Sequence, residues 1–267
     1  MFAVLNPTGE ICLPNAVYRR RTPWLHLPSS RAARLTLLAL GASLVATAVH
    51  ADTASVAAAT PPTADTLLAG GQTANRNFTV TTGFRLTQNT IQLDTHLDDS
   101  AQVNTFILDS GAPMTIAPQL VQALDIKPAA SVALAGPEGG QLEVPVVSLP
   151  DVAIAGLTFR NVGAVVDWVE PPDTLACLSN SGLLGASLLQ AAIWQIDFKT
   201  QQITVTDSLS ALRGLQDAIK LPFKRSDAAG SPRILVGVSD ADNVSLLIDL
   251  GFNGSIAIPM ALLESAG

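Results

Sequence analysis

Two stretches of the sequence share one pattern, and this repeat constrains the fold more than any other feature. Residues 106–117 read Phe-Ile-Leu-Asp-Ser-Gly-Ala-Pro-Met-Thr-Ile-Ala, and residues 246–257 read Leu-Leu-Ile-Asp-Leu-Gly-Phe-Asn-Gly-Ser-Ile-Ala. In both, an apolar run leads into Asp-x-Gly, and a hydroxyl residue followed by Ile-Ala comes six residues after the Asp. The repeat predicts two related structural units, each of which presents one aspartate at the end of a strand.

The two aspartates of this repeat, Asp109 and Asp249, are candidates for acid-base chemistry. A carboxylate at the end of an apolar strand needs bonding partners, because burying an unpaired charge is costly. Gly111 has no Cβ, so the backbone can turn tightly and bring N–H groups and the Ser110 hydroxyl to the carboxylate. Asp-Ser-Gly also closes ordinary turns, and that alternative applies to an isolated tripeptide.

The chemistry depends on whether the two turns meet. If they face one another across a pseudo-twofold axis, Asp109 and Asp249 lie too close for both to ionise, and they share one proton. One carboxylate then acts as a general base on a water molecule while the protonated partner polarises a carbonyl group. This pair would hydrolyse an amide bond without a metal, a cofactor or a covalent intermediate.

The chain from Phe78 onward is predicted to be all-β, mainly strands with short helices. Short runs of Val, Ile, Leu, Phe and Thr are separated by polar or Gly-containing breaks at hairpin spacing. Strands are predicted at 77–82, 90–96, 104–108, 131–135, 141–148, 152–154, 162–166, 192–197 and 202–206. Helical patterning is confined to 118–124 and 186–191.

The segment around Asp109 resembles the active-site loop of the retropepsin-like and pepsin-like aspartic protease superfamily, which includes bacterial exported proteases. A second match follows in Gly182-Leu183-Leu184-Gly185, which with the next residues is similar to the hydrophobic-hydrophobic-Gly motif and short helix of that family. Between these two matches, residues 132–146 lie where the family places its flap hairpin. The resemblance covers about residues 78–207 in order.

The resemblance implies an acid-protease lobe of interlocked β-hairpins, in which the Asp loop lies beneath a flap that closes over a peptide in extended conformation. It implies an aspartic endopeptidase that acts on peptide or protein substrates with Asp109 and Asp249 as its catalytic pair. The residues that it implies as supports of the two turns are Ser110, Gly111, Thr115, Gly251 and Ser255. Those of the hydrophobic-Gly motif are Leu183, Leu184 and Gly185, and those of the flap are Gly136, Pro137, Glu138, Gly139 and Gly140.

The second copy departs from the family pattern at Leu250, where the motif has Ser or Thr. Leu250 offers no hydroxyl to brace the two turns. We therefore expect the second lobe, at 211–267, to be incomplete: either the sequence is a fragment of a longer chain, or the second copy is a partial remnant. Three arrangements stay open: an intramolecular pair of Asp109 with Asp249, a homodimer in which Asp109 pairs with its own copy, and a non-catalytic domain that binds a peptide or a protein partner.

The N-terminal region is typical of an export signal. Arg31 and Arg34 precede an apolar run over 35–49, and Val49-His50-Ala51 offers small residues for cleavage. We expect a signal peptide at 1–51, a flexible linker at 52–76 and the protease-like lobe at 77–210. The mature protein is then periplasmic or secreted, and a membrane-anchored form is the alternative.

Charge and cysteine content exclude several other classes. A net charge of -7 gives no reason to expect binding to nucleic acid or to anionic lipid. Of the two cysteines, Cys12 lies in the expected signal, so no internal disulfide is expected in the mature chain. Cys177 is predicted to be a small buried residue. The scarcity of His and Cys argues against a zinc site.

Overall fold

The structure, a computed structural model, describes residues 2–5, 10–14, 61–135, 141–167, 177–226, 228–238, 241–258 and 260. These described residues belong to one compact unit. The architecture is mainly β, which confirms the predicted fold class. The described strands are β1 (Phe2–Leu5), β2 (Glu10–Pro14), β3 (Gln72–Thr73), β4 (Thr79–Gly83), β5 (Arg85–Thr87), β6 (Thr90–Leu97), β7 (Asn104–Leu108), β8 (Thr115–Ile116), β9 (Ala130–Ala135), β10 (Gln141–Ile154), β11 (Leu157–Val166), β12 (Leu183–Leu184), β13 (Ile193–Asp197), β14 (Gln202–Thr206), β15 (Ala218–Pro222), β16 (Lys224–Arg225), β17 (Pro232–Val238) and β18 (Ala241–Leu247). The described helices are α1 (Ala64–Leu68), α2 (Pro118–Ala123) and α3 (Ala186–Leu189), with 3₁₀ turns at Leu209–Ala211 and Leu215–Asp217.

The described strands form three sheets. A nine-stranded sheet has the order β12-β7-β6-β10-β11-β3, with β5 on β6, β8 on β11 and β9 on β10. A six-stranded sheet has the order β15-β2-β1-β13-β14-β4, and a three-stranded sheet has the order β16-β17-β18. The nine-stranded sheet carries the first Asp loop at the end of β7, and the three-stranded sheet carries the second after β18.

The main core lies between the nine-stranded and six-stranded sheets. Alternation along β6 and β7 turns large apolar side chains to one side, where Phe106 and Leu108 are fully buried. Phe159 from β11 stacks on Trp194 from β13, with ring centroids 5.8 Å apart. The indole N–H of Trp194 donates to the Leu189 carbonyl at 3.0 Å, so this buried polar group is satisfied.

Most of the predicted strands are confirmed within a few residues. The strands predicted at 104–108 and 202–206 have those bounds in the structure. The separate strands predicted at 141–148 and 152–154 form one strand, β10, and that division was wrong. The ladder of β10 on β11 passes from Leu149↔Val162 to Asp151↔Arg160, leaving Pro150 opposite Asn161, which has a φ of 53°. The ladder is interrupted at this one pair, so no N–H is required from Pro150. The proline therefore does not end the strand.

Two N-terminal predictions look different in the structure. Within the flexible linker predicted at 52–76, the structure has two short elements, α1 and β3. The Thr63 hydroxyl accepts from the Thr66 N–H at 3.2 Å and so caps α1, which buries Leu68. Residues 2–5 and 10–14, inside the predicted signal peptide, form β1 and β2 of the six-stranded sheet. The cleavage site after Ala51 lies outside the described residues and stays a prediction.

Cys177 is exposed, so its prediction as a small buried residue was wrong. The next residue, Leu178, is tied to the nine-stranded sheet instead, because its carbonyl accepts from the Gln92 side chain at 2.9 Å. Among the residues that the structure describes, no helix has the length and apolar character that a membrane span requires.

Candidate active site

The first Asp turn follows β7 and is held by backbone hydrogen bonds. The Asp109 N–H donates to the Leu184 carbonyl of β12 at 3.0 Å. Its carboxylate Oδ1 accepts from the Gly111 N–H at 2.7 Å and from the Ala112 N–H at 3.1 Å. The carboxylate is therefore oriented by its own turn, as the sequence predicts from the glycine two positions later.

The second Asp turn repeats this geometry. Asp249 Oδ1 accepts from the Gly251 N–H at 2.8 Å and from the Phe252 N–H at 3.1 Å. The preceding residue, Ile248, donates its N–H to the Pro232 carbonyl of β17 at 2.9 Å. The repeat in the sequence thus corresponds to a repeat in the hydrogen bonding, even though Leu250 replaces the hydroxyl residue.

The two turns face each other, and each carboxylate packs on the glycine of the opposite turn. A Cβ added to Gly111 would lie 2.6 Å from the Asp249 Cγ, and one added to Gly251 would lie 2.5 Å from the Asp109 Cγ. Real Cβ atoms do not approach other atoms so closely, so both positions require glycine. The structure therefore brings Asp109 and Asp249 together within one chain.

This environment raises the pKa of Asp109 to about 6. Burial is the largest cause, because it disfavours the charged form, and the neighbouring charge of Asp249 is the second. The N–H donors of Gly111 and Ala112 act in the opposite direction, since they stabilise the carboxylate. The site therefore retains a proton in weakly acidic solution, as expected of two carboxyl groups that share one.

A single hydroxyl braces the two turns. Ser110, which is fully buried, donates its Oγ–H to the Ile248 carbonyl at 2.7 Å and accepts the Leu250 N–H at 3.0 Å. Leu250 offers no hydroxyl in return and packs against the main core. One side chain of the first copy therefore satisfies both backbone groups of the second copy.

The hydrophobic-Gly motif lies directly beneath the first turn. Leu183 and Leu184 form β12, which pairs in parallel with β7, and the Leu183 N–H donates to the Thr115 Oγ1 at 3.0 Å. A Cβ on Gly185 would lie 2.1 Å from the Pro113 carbonyl carbon, so the chain passes too closely for any side chain. Through these contacts, Thr115, Leu183, Leu184 and Gly185 lie against the Asp109 loop and its flanking strand.

Other predicted site residues are placed less closely or lie outside the described residues. Ser255, the counterpart of Thr115, is exposed and makes no hydrogen bond with the described part of the chain. The predicted flap residues 136–140 fall outside the described residues. The hairpin that carries them is described, since β9 pairs with β10 from Ala130↔Val146 to Ala135↔Gln141.

Two further contacts to the turns were missed by sequence reasoning. The buried Ser231 donates to the Gly111 carbonyl at 3.5 Å. Asn89, in the tight turn between β5 and β6, donates its side-chain N–H to the Asn253 carbonyl at 3.2 Å. Asn is a typical turn residue, and Asn89 adopts a φ of 61° in this turn. Its partner lies 164 residues away along the chain, so the sequence does not indicate the contact. Within the described ranges, no three His, Cys, Asp or Glu side chains form a group that could hold a metal ion.

The model of a family described as aspartyl protease matches residues 95–188. The matched region contains Asp109 and the hydrophobic-Gly motif and ends before Asp249. A search of curated proteins found no match.

Proposed function

We propose, for a chain that belongs to the aspartic protease superfamily, that Asp109 and Asp249 act together as the catalytic pair of an endopeptidase. The observation that carries the proposal is the reciprocal packing of the two turns, in which Gly111 lies against Asp249 and Gly251 against Asp109. The match to the aspartyl protease family covers residues 95–188 and so includes the first Asp turn but not the second. The facing of the two turns supports Asp249 as the second carboxylate that the chemistry needs.

The reaction follows from two carboxyl groups that hold one proton between them. The ionised carboxylate takes a proton from a water molecule, whose oxygen attacks the carbonyl carbon of the scissile amide, while the protonated carboxyl donates a hydrogen bond to the carbonyl oxygen. The tetrahedral intermediate then collapses, the C–N bond breaks, and the leaving nitrogen takes a proton from the pair. Aspartic proteases are the standard example of this shared proton.

The facing turns favour the intramolecular pair over a homodimer. In the structure Asp249 occupies the position opposite Asp109, so pairing of Asp109 with its copy in a second chain would first require the Asp249 turn to leave. Two buried hydrogen bonds from Ser110 oppose that movement. Activity of the intramolecular pair is independent of protein concentration, whereas activity of a dimer rises with it.

The proposed substrate is a peptide or protein segment in extended conformation, held between the Asp turns and the β9–β10 hairpin. Because the N-terminal sequence has the features of an export signal, we also propose that the enzyme works in the periplasm or outside the cell.

The test compares Asp109→Asn, Asp249→Asn and the double variant on an unstructured protein substrate. Each single variant should lose most of kcat, and the double variant should be scarcely worse, because groups that act as a unit are not additive. Asp98→Asn is the matched control, since Asp98 is exposed and its φ of 50° suits Asn. A chelator should have no effect and a statine-type peptide should inhibit. Full activity of either active-site variant would refute the pair.

A second candidate function is peptide binding without catalysis. It is favoured by Leu250, which leaves the brace between the turns one-sided, and by the exposed segment that follows the second turn. In that case a statine-type peptide would bind to the protein while no peptide bond is cleaved over the pH range in which the pair holds one proton.

A further inference from the structure

A large apolar side chain stands exposed beside the second Asp turn. Phe252 is 42% exposed, and it occupies the position that the small residue Ala112 holds after the first turn. Exposed single hydrophobic residues are common on protein surfaces. This one differs because its backbone N–H is bonded to the Asp249 carboxylate.

The hydrogen bond fixes how close the backbone of Phe252 lies to the reacting groups. The Phe252 nitrogen is 3.1 Å from Asp249 Oδ1, and the Cα is about 1.5 Å from that nitrogen. The Cα that carries the ring therefore lies within roughly 5 Å of the carboxylate, by the same bond lengths. An extended peptide with a carbonyl group at the pair places its neighbouring side chains at comparable distances, since residues rise about 3.3 Å each along a strand.

The ring and its loop are held in place. Gly254 lies under the ring, and a Cβ at that position would come within 2.6 Å of the Phe252 Cζ. The residue between them, Asn253, has its carbonyl bonded by the Asn89 side chain from the first lobe. A fixed exposed ring is a better binding surface than a mobile one, because less conformational freedom is lost when a ligand covers it.

We propose that Phe252 is a specificity-determining residue that makes the site prefer a peptide with an aromatic or large aliphatic side chain on one side of the scissile bond. The inference rests on the proposed function in so far as a peptide binds across the pair. The ligand side chain covers the Phe252 ring and removes both apolar surfaces from water. Ala112 provides no such surface after the first turn, so the preference is confined to one side and fixes the direction in which the peptide binds.

The test measures binding of statine-type peptides to the whole chain by calorimetry, so that it does not depend on turnover. Four probes carry Phe or Ala immediately before or immediately after the statine unit. The wild-type protein should prefer Phe to Ala by about tenfold or more at one of these positions, a size that apolar pockets reach. Phe252→Ala should reduce that preference to about twofold or less, and Phe252→Leu should retain part of it.

Two more variants distinguish a specific contact from general damage. Gly254→Ala keeps the ring but displaces it, and we expect it to weaken the same preference at the same position. Val103→Ala is the matched control: Val103 is 55% exposed and lies six residues before Asp109 along an extended strand, about 20 Å away. It should change nothing.

The outcomes separate this inference from the proposed function. Equal affinity for Phe and Ala probes, a preference that survives Phe252→Ala, or failure of all probes to bind would overturn the inference. Cleavage of protein substrates that is lost in Asp109→Asn would still support the catalytic pair in each of those cases. Selective binding without cleavage would instead support the inference and refute the peptidase.

Discussion

The hydroxyl of Ser110 offers the sharpest test of how the two turns are joined. Ser110→Ala removes the donor to the Ile248 carbonyl and the acceptor of the Leu250 N–H, and it leaves both backbone groups facing a methyl group. Ser110 is only 1% exposed, so water does not readily replace the hydroxyl.

The expected loss in the free energy of unfolding of Ser110→Ala follows from its two lost hydrogen bonds. Leaving a buried donor or acceptor unsatisfied costs about 1 to 3 kcal/mol. Two such groups, relaxed in part by movement of the turns, lower the free energy of unfolding by about 2 to 4 kcal/mol. The effect on catalysis should be larger than the loss of folded protein explains, because a displacement of about 1 Å at reacting groups reduces the rate about 100-fold.

The assay pairs urea unfolding with kcat on one peptide, both measured well below the unfolding midpoint. Ser110→Thr should restore most of both quantities, since it keeps the hydroxyl and a small cavity lined by Ser110, Ala186 and Pro232 has room for the added methyl group. Thr206→Val is the control, because it removes a buried hydroxyl of the six-stranded sheet, which donates to the Phe78 carbonyl at 2.9 Å. It should lower stability and leave kcat unchanged. Wild-type stability and kcat in Ser110→Ala would refute the idea that this hydroxyl joins the turns.

Three further predictions follow from the site and the N-terminus. Gly251→Ala should reduce kcat by about 100-fold or more by driving the turns apart, whereas Gly83→Ala, whose added Cβ meets nothing closer than 3.8 Å, should be nearly neutral in the same assay. Because the pKa of Asp109 is raised from 3.8 to about 6, its protonated form favours the folded state; this contribution is complete below the lower value and is lost as the pH rises through about 6. Urea unfolding measured at a series of pH values should therefore show wild type losing stability relative to Asp109→Asn over that interval. The kcat of the wild type should fall on the alkaline side of it. Stability curves of the two proteins that run parallel over this pH range would contradict the raised pKa. Edman sequencing of exported protein should begin at Asp52, and a chain retaining 35–49 in the membrane fraction would favour the anchored form.

The sequence predicted the first lobe well because its information is local. The alternation of apolar residues sets β7 and β14 at their observed bounds, and the Asp-x-Gly pattern correctly predicts a turn whose N–H groups bond the carboxylate. The order of motifs then places Leu183 and Leu184 beneath Asp109.

What the sequence did not predict depends on contacts between distant segments. Helix α1 is only five residues long, too short for the helical spacing of Ala64, Leu67 and Leu68 to stand out from the surrounding Ala- and Thr-rich stretch. It packs closely on β11, where a Cβ on Gly163 would lie 2.3 Å from the Leu67 carbonyl oxygen. The pattern at Leu250 correctly shows that a hydroxyl is missing from one turn. It does not show that Ser110 binds both the N–H and the carbonyl of the opposite turn, because that depends on the distance between two loops.

The place of β1 and β2 in the six-stranded sheet has a consequence for the maturation of the protein. These strands lie between β13, which belongs to the first lobe, and β15, which precedes the second Asp turn. Their backbone bonds therefore form a continuous ladder across the sheet from one lobe to the other. Cleavage after Ala51 would remove both strands and leave β13 and β15 as separate edges, each with unpaired N–H and carbonyl groups. Export of this chain would then change how firmly its two halves are held together, so that the precursor and the processed protein differ in mechanical coupling as well as in length.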